Sequence, residues 1–324
     1  MVFEFGDEKG RARYLPGLLL AVVGGVILFP LPGWVTDWSW WGGAVAAGAG
    51  ALLLLVALID GLWTAKGDTV PFDRPTLKIA HLSDLHFPTR SNEAADALRV
   101  SLRTQAPDIL VITGDLQNHP VIGAEAARKW IAETARDWCG ITDPKRVIVL
   151  PGNHDLFVTG LFGIGPLGEW LFRRTHKAPR TGVIYVKTAN VVFLCLDLNP
   201  LFAVVSAEGT VYEHRLRALA EAMEKHPEQA GIQSATRILL VHQHPFPVPY
   251  CGTDFLLSTR ETHRLLRFVA EKRIQVILHG HKHFATWSDL RIGGGGDYPR
   301  FVQILGAGSA MKRSDFDTRG HNYN

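Results

Sequence analysis

The stretch Val147-Ile148-Val149-Leu150-Pro151-Gly152-Asn153-His154-Asp155 places an amide, an imidazole and a carboxylate directly after a run of apolar residues. A short apolar run that is bounded by proline and glycine predicts a buried β-strand. Open α/β sheets carry their chemistry at the carboxyl ends of strands. Polar side chains at this position are therefore candidates for a functional site.

Four further apolar runs end in the same way. They lead into Ser83-Asp84-Leu85-His86, Gly114-Asp115, His242-Gln243-His244 and His279-Gly280-His281-Lys282-His283. Because the carboxyl ends of parallel strands share one edge of a sheet, we expect these polar groups to converge.

Strands and helices alternate from residue 76 onward. Helical spacing covers 92–105, 125–138, 212–226 and 258–272, a β-hairpin is predicted at 183–186 and 191–196, and a last strand at 301–305. This order predicts a layered α/β domain over residues 76–324, with β-sheets flanked by helices and some antiparallel pairing. Residues 61–75 have the glycines and prolines of a linker.

The first 75 residues differ from the rest in composition. Two segments, about 15–32 and 42–60, approach the length that crosses a bilayer, and the loop between them is rich in tryptophan. Lysine and arginine flank the pair on its outer sides, which by the positive-inside rule favours both ends in the cytoplasm. We expect a transmembrane helical hairpin that anchors the domain of residues 76–324 to the cytoplasmic face of the inner membrane as a multi-pass protein. A signal peptide and a buried soluble helical pair are the alternatives.

Cysteine content and net charge restrict the classes of function. The 324 residues contain 3 cysteines, too few and too widely spaced for a disulfide framework. The formal net charge is +3, without a clustered basic stripe, so nucleic-acid binding is not indicated.

The polar residues at the strand ends have the chemistry of metal ligands. The candidates come from separate strand ends and are Asp84, His86, Asp115, Asn153, His242, His281 and His283. Imidazoles combined with carboxylates suit manganese, iron or zinc better than calcium, and two such ions activate water and stabilise a transferring phosphoryl group. His244 lies two residues beyond His242, so an extended chain could present either ring.

The blocks Asp84-x-His86, Gly114-Asp115, Gly152-Asn153-His154-Asp155, His242 and Gly280-His281-x-His283 are similar, in content and order, to those of the calcineurin-like metallophosphoesterases. The resemblance covers about residues 76–310. It implies that Asp84, His86 and His283 hold one divalent metal, that Asn153, His242 and His281 hold the other, and that Asp115 bridges the two. It also implies hydrolysis of a phosphoester by a hydroxide that bridges the metals. His154 would contact the phosphate and protonate the leaving oxygen, oriented by Asp155.

Within that family the chain resembles the bacterial group related to class III cyclic-nucleotide phosphodiesterases and to the hydrolase of a UDP-linked diacylglucosamine. The substrate implied is a phosphodiester or a phosphomonoester, either lipid-linked or a cyclic nucleotide. Three apolar connections, 156–170, 198–205 and 246–257, are expected to form a lid for a lipid-like substrate or, alternatively, to pack on one another as a cap.

Two other classes of function compete with the hydrolase. A membrane scaffold or sensor would bind metal without turnover, and a nuclease of the same fold would need a nucleic-acid surface. The sequence does not determine the oligomeric state.

Overall fold

The computed structural model of the protein describes residues 48, 50–51, 65–88, 92–119, 122–156, 163–176, 181–200, 202–203, 207–246, 258–293 and 300–310. The chain divides into two units, Met1–Trp63 and Thr64–Asn324. Apart from residues 48, 50 and 51, the predicted spans 15–32 and 42–60 lie outside the described residues. Within the described ranges, no helix has both the length and the apolar character that a membrane crossing requires.

The second unit contains strands of two to seven residues. They are β1 (Lys66–Val70), β2 (Ile79–Leu82), β3 (Ile109–Ile112), β4 (Val147–Val149), β5 (Gly163–Ile164), β6 (Gly182–Val186), β7 (Val191–Cys195), β8 (Phe202–Ala203), β9 (Gly209–Thr210), β10 (Thr236–Leu240), β11 (Thr259–Arg260), β12 (Val276–His279), β13 (Thr286–Ile292) and β14 (Arg300–Gly306).

Helices lie between these strands. They are α1 (Asn92–Gln105), α2 (Ala124–Glu133), α3 (Gly165–His176), α4 (Glu213–Glu224), α5 (Gln229–Ser234) and α6 (Thr262–Glu271). A π-helical turn, Thr134–Trp138, continues α2, and short 3-10 turns cover Pro144–Arg146 and His154–Leu156.

The strands form two principal sheets. One has the order β1-β6-β7-β10-β12-β14-β13 and the other β2-β3-β4, with two-stranded pairs β5-β8 and β9-β11 beside them. Strands β2, β3 and β4 run parallel, as do β7, β10, β12 and β14. The carboxyl ends of each parallel set therefore lie at one edge of its sheet.

Three apolar cores define four layers, helix, sheet, sheet and helix. In β3, Ile109 and Val111 belong to the core between the two sheets, whereas Leu110 and Ile112 belong to the core beneath α1 and α2. All four side chains are fully buried, which explains a strand without polar alternation. A third core packs α4 and α6 on the outer face of the large sheet.

Several predicted elements are confirmed. Helix α1 has the predicted bounds, and β6 and β7 form the predicted antiparallel hairpin. The layered α/β architecture, with sheets flanked by helices, is also confirmed.

The linker prediction is wrong for residues 66–70. This segment is strand β1, which pairs in parallel with β6 at the edge of the large sheet, and its Val70 is buried in the core between the sheets. An edge strand needs few apolar side chains, so the polar sequence Lys66-Gly67-Asp68-Thr69 concealed it. The same reason explains why β13, an edge strand with mostly exposed side chains, was not predicted.

Candidate metal centre

Two groups of side chains meet where the strand ends converge, and they share one carboxylate. The first group is Asp84, His86, Asp115 and His283, and the second is Asp115, His242 and His281. Within each group the ligand atoms all lie within 4.8 Å of one another, close enough to hold a single ion. Asp115 therefore stands between two candidate sites.

The first group surrounds the carboxyl end of β2. His283 Nε2 lies 3.3 Å from Asp84 Oδ1, and His86 Nε2 lies 3.8 Å from both Asp84 Oδ1 and Asp115 Oδ2. The His86 and His283 Nε2 atoms are 2.8 Å apart. Two ring nitrogens and two carboxylates thus face one small space.

In the second group, Asp115 follows β3, His242 follows β10 and His281 follows β12. His242 Nε2 lies 3.4 Å from Asp115 Oδ2, 3.1 Å from Asn153 Oδ1 and 3.3 Å from His281 Nδ1. Its Nδ1 contacts the Thr113 carbonyl at 2.6 Å, which directs Nε2 toward the group. The His244 ring instead stacks on His281 with centroids 5.7 Å apart. The sequence left open whether His242 or His244 is the ligand. In the structure, His242 is the one that belongs to the candidate ligand group.

The loops that carry these side chains have an unusual backbone. Residues of the candidate set with φ values between 51° and 75° are Asp84, His86, Asp115, His281 and His283. Non-glycine residues adopt this left-handed region rarely, at a cost of order 1–3 kcal/mol each, and the conformation clusters at functional sites. The fold therefore maintains strained turns where the ligand atoms must converge.

Glycines of the motifs allow the loops to approach closely. A Cβ on Gly152 would overlap Asp115 Oδ1, and a Cβ on Gly114 would lie 2.6 Å from His242 Nδ1. Hence the Gly-Asp and Gly-Asn-His-Asp blocks need glycine so that the candidate ligands can lie against neighbouring backbone.

Buried polar atoms without hydrogen bonds indicate that the groups fit a cation. Among the described residues, Asp84 Oδ1 and His281 Nε2 are buried and have no hydrogen-bond partner. Burying such atoms unpaired is costly, and a bound cation would satisfy the carboxylate and the ring nitrogen. The mixture of carboxylate oxygen and imidazole nitrogen suits a divalent transition metal.

The electrostatic environment of the centre favours a negatively charged Asp115 and a positively charged His242. Burial alone would lower the pKa of His242, but the adjacent Asp115 carboxylate raises it to about 9. Burial opposes ionisation of Asp115, yet His242 and His154 hold the pKa of Asp115 well below its usual range. The shared carboxylate is thus ionised and available as a ligand at neutral pH.

His154 lies beside the first group, but Asp155 does not orient it. The His154 ring meets His86 edge-on with centroids 4.9 Å apart, and its Nδ1 lies 3.2 Å from the Asn118 carbonyl. The Asp155 carboxylate, fully buried, accepts backbone N–H groups from Leu116, Gln117 and Gly152. The predicted contact from Asp155 to His154 is therefore wrong, because Asp155 ties together the loops after β3 and β4.

Sequence analysis missed two polar residues near the centre, Asp197 and Asn199. Both are buried and follow β7, and Asn199 bonds to the Pro151 carbonyl and to Gln243. A signal was present, since they follow an apolar strand as the other site residues do. Asn199 lies within the apolar connection 198–205, for which the sequence predicts a lid or a cap instead of a part of the site.

The fold and the paired Asp/His groups define a two-sheet α/β protein with a candidate metal centre at its strand ends. The sequence profile described as calcineurin-like phosphoesterase matches residues 77–285, and the chain belongs to that family. Membership makes the protein a hydrolase that acts on phosphoester bonds. The candidate ligands from Asp84 to His283 all fall within the matched region.

Comparison with solved structures gives low identities. Phosphopantetheinyl hydrolase from Mycobacterium tuberculosis is 14% identical, with a TM-score of 0.44 over 81% of this chain and 95% of that one. GAP50, the anchor in the inner membrane complex of Plasmodium, is 13% identical, with a TM-score of 0.41 and 72% of each chain covered. A predicted phosphoesterase from Streptococcus pneumoniae is also 13% identical, with a TM-score of 0.29 and the same coverage. No curated protein matches the chain.

Proposed function

We propose that the protein hydrolyses a phosphoester with two divalent metal ions held by the two side-chain groups. The observation that carries this proposal is the position of Asp115, whose carboxylate belongs to both groups. Asp84, His86 and His283 would complete one site, and Asn153, His242 and His281 the other. Manganese, iron and zinc suit these ligands.

When bound, two such ions activate water and stabilise the charge that develops on a phosphoryl group during in-line displacement. The chain supplies the proton. Because Nδ1 of His154 faces the Asn118 carbonyl, the Nδ1–H is the donor there, and the acid would be the imidazolium form, whose Nε2 carries the proton to be transferred. With its ring edge against His86, His154 is placed to protonate the leaving oxygen.

Loading the full-length chain with metal tests the hydrolase directly. The protein is stripped with chelator, reloaded with Mn²⁺, and assayed on an aryl phosphodiester and on the matching monoester. His154→Ala should retain its metals and lose about 100-fold or more in kcat, since general acid catalysis contributes 10²–10⁴-fold. His263→Ala, whose side chain is 65% exposed, is the control and should leave kcat unchanged.

The same assay separates the alternatives. A metal-binding scaffold would bind Mn²⁺ and hydrolyse neither ester, with no difference between His154→Ala and the parent chain. Hydrolysis of single-stranded DNA at physiological salt would support the nuclease. The ratio of diester to monoester turnover would indicate whether cyclic-nucleotide or pyrophosphate-linked substrates, or phosphatase substrates, are closer to the natural one.

The location that we propose is the cytoplasmic face of the inner membrane, with residues 15–32 and 42–60 as spans. Support comes from the length of the two segments, the tryptophan-rich loop and the flanking positive charges. Single cysteines introduced at Ser39 and at Asp289 test it in intact cells. A membrane-impermeant maleimide should label position 39 from outside and should reach position 289 only after lysis.

A lipid-linked substrate is a further part of the proposal. Two of the three apolar connections meet, because β5 pairs with β8 in antiparallel fashion. Helix α3 begins at Gly165 within the first connection, and its Phe172 is buried in the core beneath the small sheet. The pairing supports a cap built from both connections.

A variant that carries Ile164→Ser and Phe202→Ser tests the cap. The ratio of turnover on long-chain phosphodiesters to turnover on short-chain phosphodiesters should be lower in this variant than in the parent chain. An unchanged ratio would exclude a role of the cap in substrate choice.

A further inference from the structure

A buried polar network lies next to the second ligand group, and none of the candidate ligands is a member of it. Asp197 and Asn199 follow β7, Arg215 comes from α4, and Gln243 follows His242 along the chain. All four are at most 5% exposed. Polar groups in such surroundings are stable only when they are hydrogen-bonded, so each bond constrains the position of its two partners.

The side-chain amide of Asn199 connects two loops that carry candidate ligands. Its Nδ2 donates to the Pro151 carbonyl at 3.1 Å, and its Oδ1 accepts from Gln243 Nε2 at 2.6 Å. Pro151 precedes the Gly152-Asn153 pair, and Gln243 directly follows His242. One amide thus links the loop of Asn153 to the loop of His242.

Asn199 is itself held rigidly by a buried ion pair. Arg215 Nη1 donates to the Asn199 carbonyl at 2.7 Å and to the Asp197 carbonyl at 3.0 Å, and lies 3.4 Å from Asp197 Oδ2. The Asn199 backbone N–H donates to Asp197 Oδ1 at 2.8 Å. Charge-assisted bonds of this kind are stronger than neutral ones. Arg215 of α4 therefore holds the backbone of Asn199 in place.

We propose that Asn199 is a positioning residue for the second metal site. By linking the Pro151 carbonyl to Gln243, it sets the separation between Asn153 and His242, which lie 3.1 Å apart from Oδ1 to Nε2. Both bonds reach loops that carry ligands of the second site, the loop of Asn153 and the loop of His242. Loss of the amide should therefore weaken one site and leave the other. This inference rests on the proposed two-metal function.

Manganese binding to the full-length chain tests the inference without an activity assay. Titration calorimetry gives the number and affinity of bound Mn²⁺ ions, and electron paramagnetic resonance distinguishes an isolated Mn²⁺ from an exchange-coupled pair. The parent chain should bind two ions as a coupled pair. Asn199→Ala should bind one ion with unchanged affinity and the other at least tenfold more weakly, with the spectrum of isolated Mn²⁺.

Asn190→Ala is the matched control. Asn190 precedes β7 at the other end of the strand, accepts a hydrogen bond from Tyr185 and donates to the Ser234 carbonyl. Its φ of 51° means that alanine costs stability there as well, so the control accounts for destabilisation alone. It should retain the coupled pair.

The outcomes separate the inference from the function on which it rests. Two coupled ions in Asn199→Ala, as in the parent chain, would overturn the positioning role. A parent chain that binds no Mn²⁺ would instead overturn the two-metal proposal. If Asn199→Ala does not fold by circular dichroism, Gln243→Met decides, because it removes only the donor to Asn199 Oδ1. Selective loss of one ion in that variant supports the inference, and full retention of both refutes it.

Discussion

The ionisation of individual residues links the metal centre to pH. Asp115 is ionised and His242 is protonated in the absence of metal, because each stabilises the charge on the other. A histidine binds metal only through a neutral imidazole, so metal binding requires His242 to lose its proton. Affinity should therefore fall as the pH falls below about 9.

Proton release on metal binding follows from the charge on His242. With a pKa of about 9, His242 carries a proton at pH 7.5, and binding of Mn²⁺ should release at least one proton per chain. Calorimetry in two buffers of different ionisation enthalpy measures the number released. His154→Ala should release the same number. Binding heats that do not depend on the buffer would contradict the expected protonation state.

A histidine outside the candidate ligand set should contribute to acid sensitivity. Burial, with His279 adding to it, lowers the pKa of His81 to about 3, and its Nε2 lies 2.9 Å from Thr113 Oγ1. Between pH 6.5 and 3 the unfolded chain binds a proton at this residue that the folded chain does not. The free energy of unfolding therefore falls as the pH falls through that range.

His81→Gln preserves a hydrogen-bonding group and removes the titration. Urea unfolding of metal-free protein at pH 7 and pH 5 gives the loss of stability for each chain. The loss should be smaller in the variant by about 1–2 kcal/mol. Equal losses in both chains would show that His81 does not titrate between the folded and unfolded states.

At the scale of elements, the turns after the strands determine the site. Strands β2, β3, β4, β10 and β12 each end in a turn that carries a candidate ligand, and several of these turns have left-handed residues or glycines in close contact. A strand of a few apolar residues fixes where the turn begins. The close approach of two turns then fixes the distance between ligand atoms.

Gly152→Ala tests the close approach of the turns after β3 and β4. A methyl group at residue 152 would overlap the Asp115 carboxylate and must displace it, so Mn²⁺ affinity should fall at least tenfold at both sites. Gly293→Ala is the matched control, because a Cβ there meets nothing within 4 Å. Mn²⁺ titration calorimetry compares the two. Equal affinities in the parent chain and Gly152→Ala would mean that the turn accommodates the methyl group.

At the scale of the whole catalytic unit, the candidate ligands come from both sheets. Asp84, Asp115 and Asn153 follow strands of the small sheet, whereas His242, His281 and His283 follow β10 and β12 of the large one. Bonds across the junction include His281 N to Asp84 Oδ2 at 3.0 Å. Bound metal would therefore join the two sheets.

Metal removal should destabilise the folded protein. At a free metal concentration of 100 times Kd, one site contributes about 2.7 kcal/mol, so chelation should lower Tm by roughly 5–10 °C. Asp115→Asn should show almost no response to chelator, because the carboxylate shared by both groups is lost. Without metal, this variant should melt below the metal-free parent chain, because it removes one partner of the buried Asp115–His242 charge pair. Differential scanning calorimetry with and without chelator measures all four values.

Much of the architecture could be predicted from local patterns. Helix α1, the β6-β7 hairpin and the apolar strands before the polar blocks were all evident, because hydrophobic periodicity and turn residues are local signals. Edge strands β1 and β13 were not predicted. Their side chains are mostly exposed, and their place in the sheet depends on backbone bonds to distant strands.

The sequence by itself determined which side chains are candidates for the chemistry. Asp, Asn and His after short apolar runs are a local pattern, and the order of the blocks identifies the family. The resemblance also implied that Asp115 is shared, and the structure has Asp115 in both ligand groups. Only the tertiary structure decided the contacts around those ligands. It selects His242 over His244, directs Asp155 to the backbone instead of His154, and adds Asn199 between two ligand loops. The physical reason is that each of these contacts joins strand ends far apart in the chain, so spacing along the sequence does not encode the distance between them.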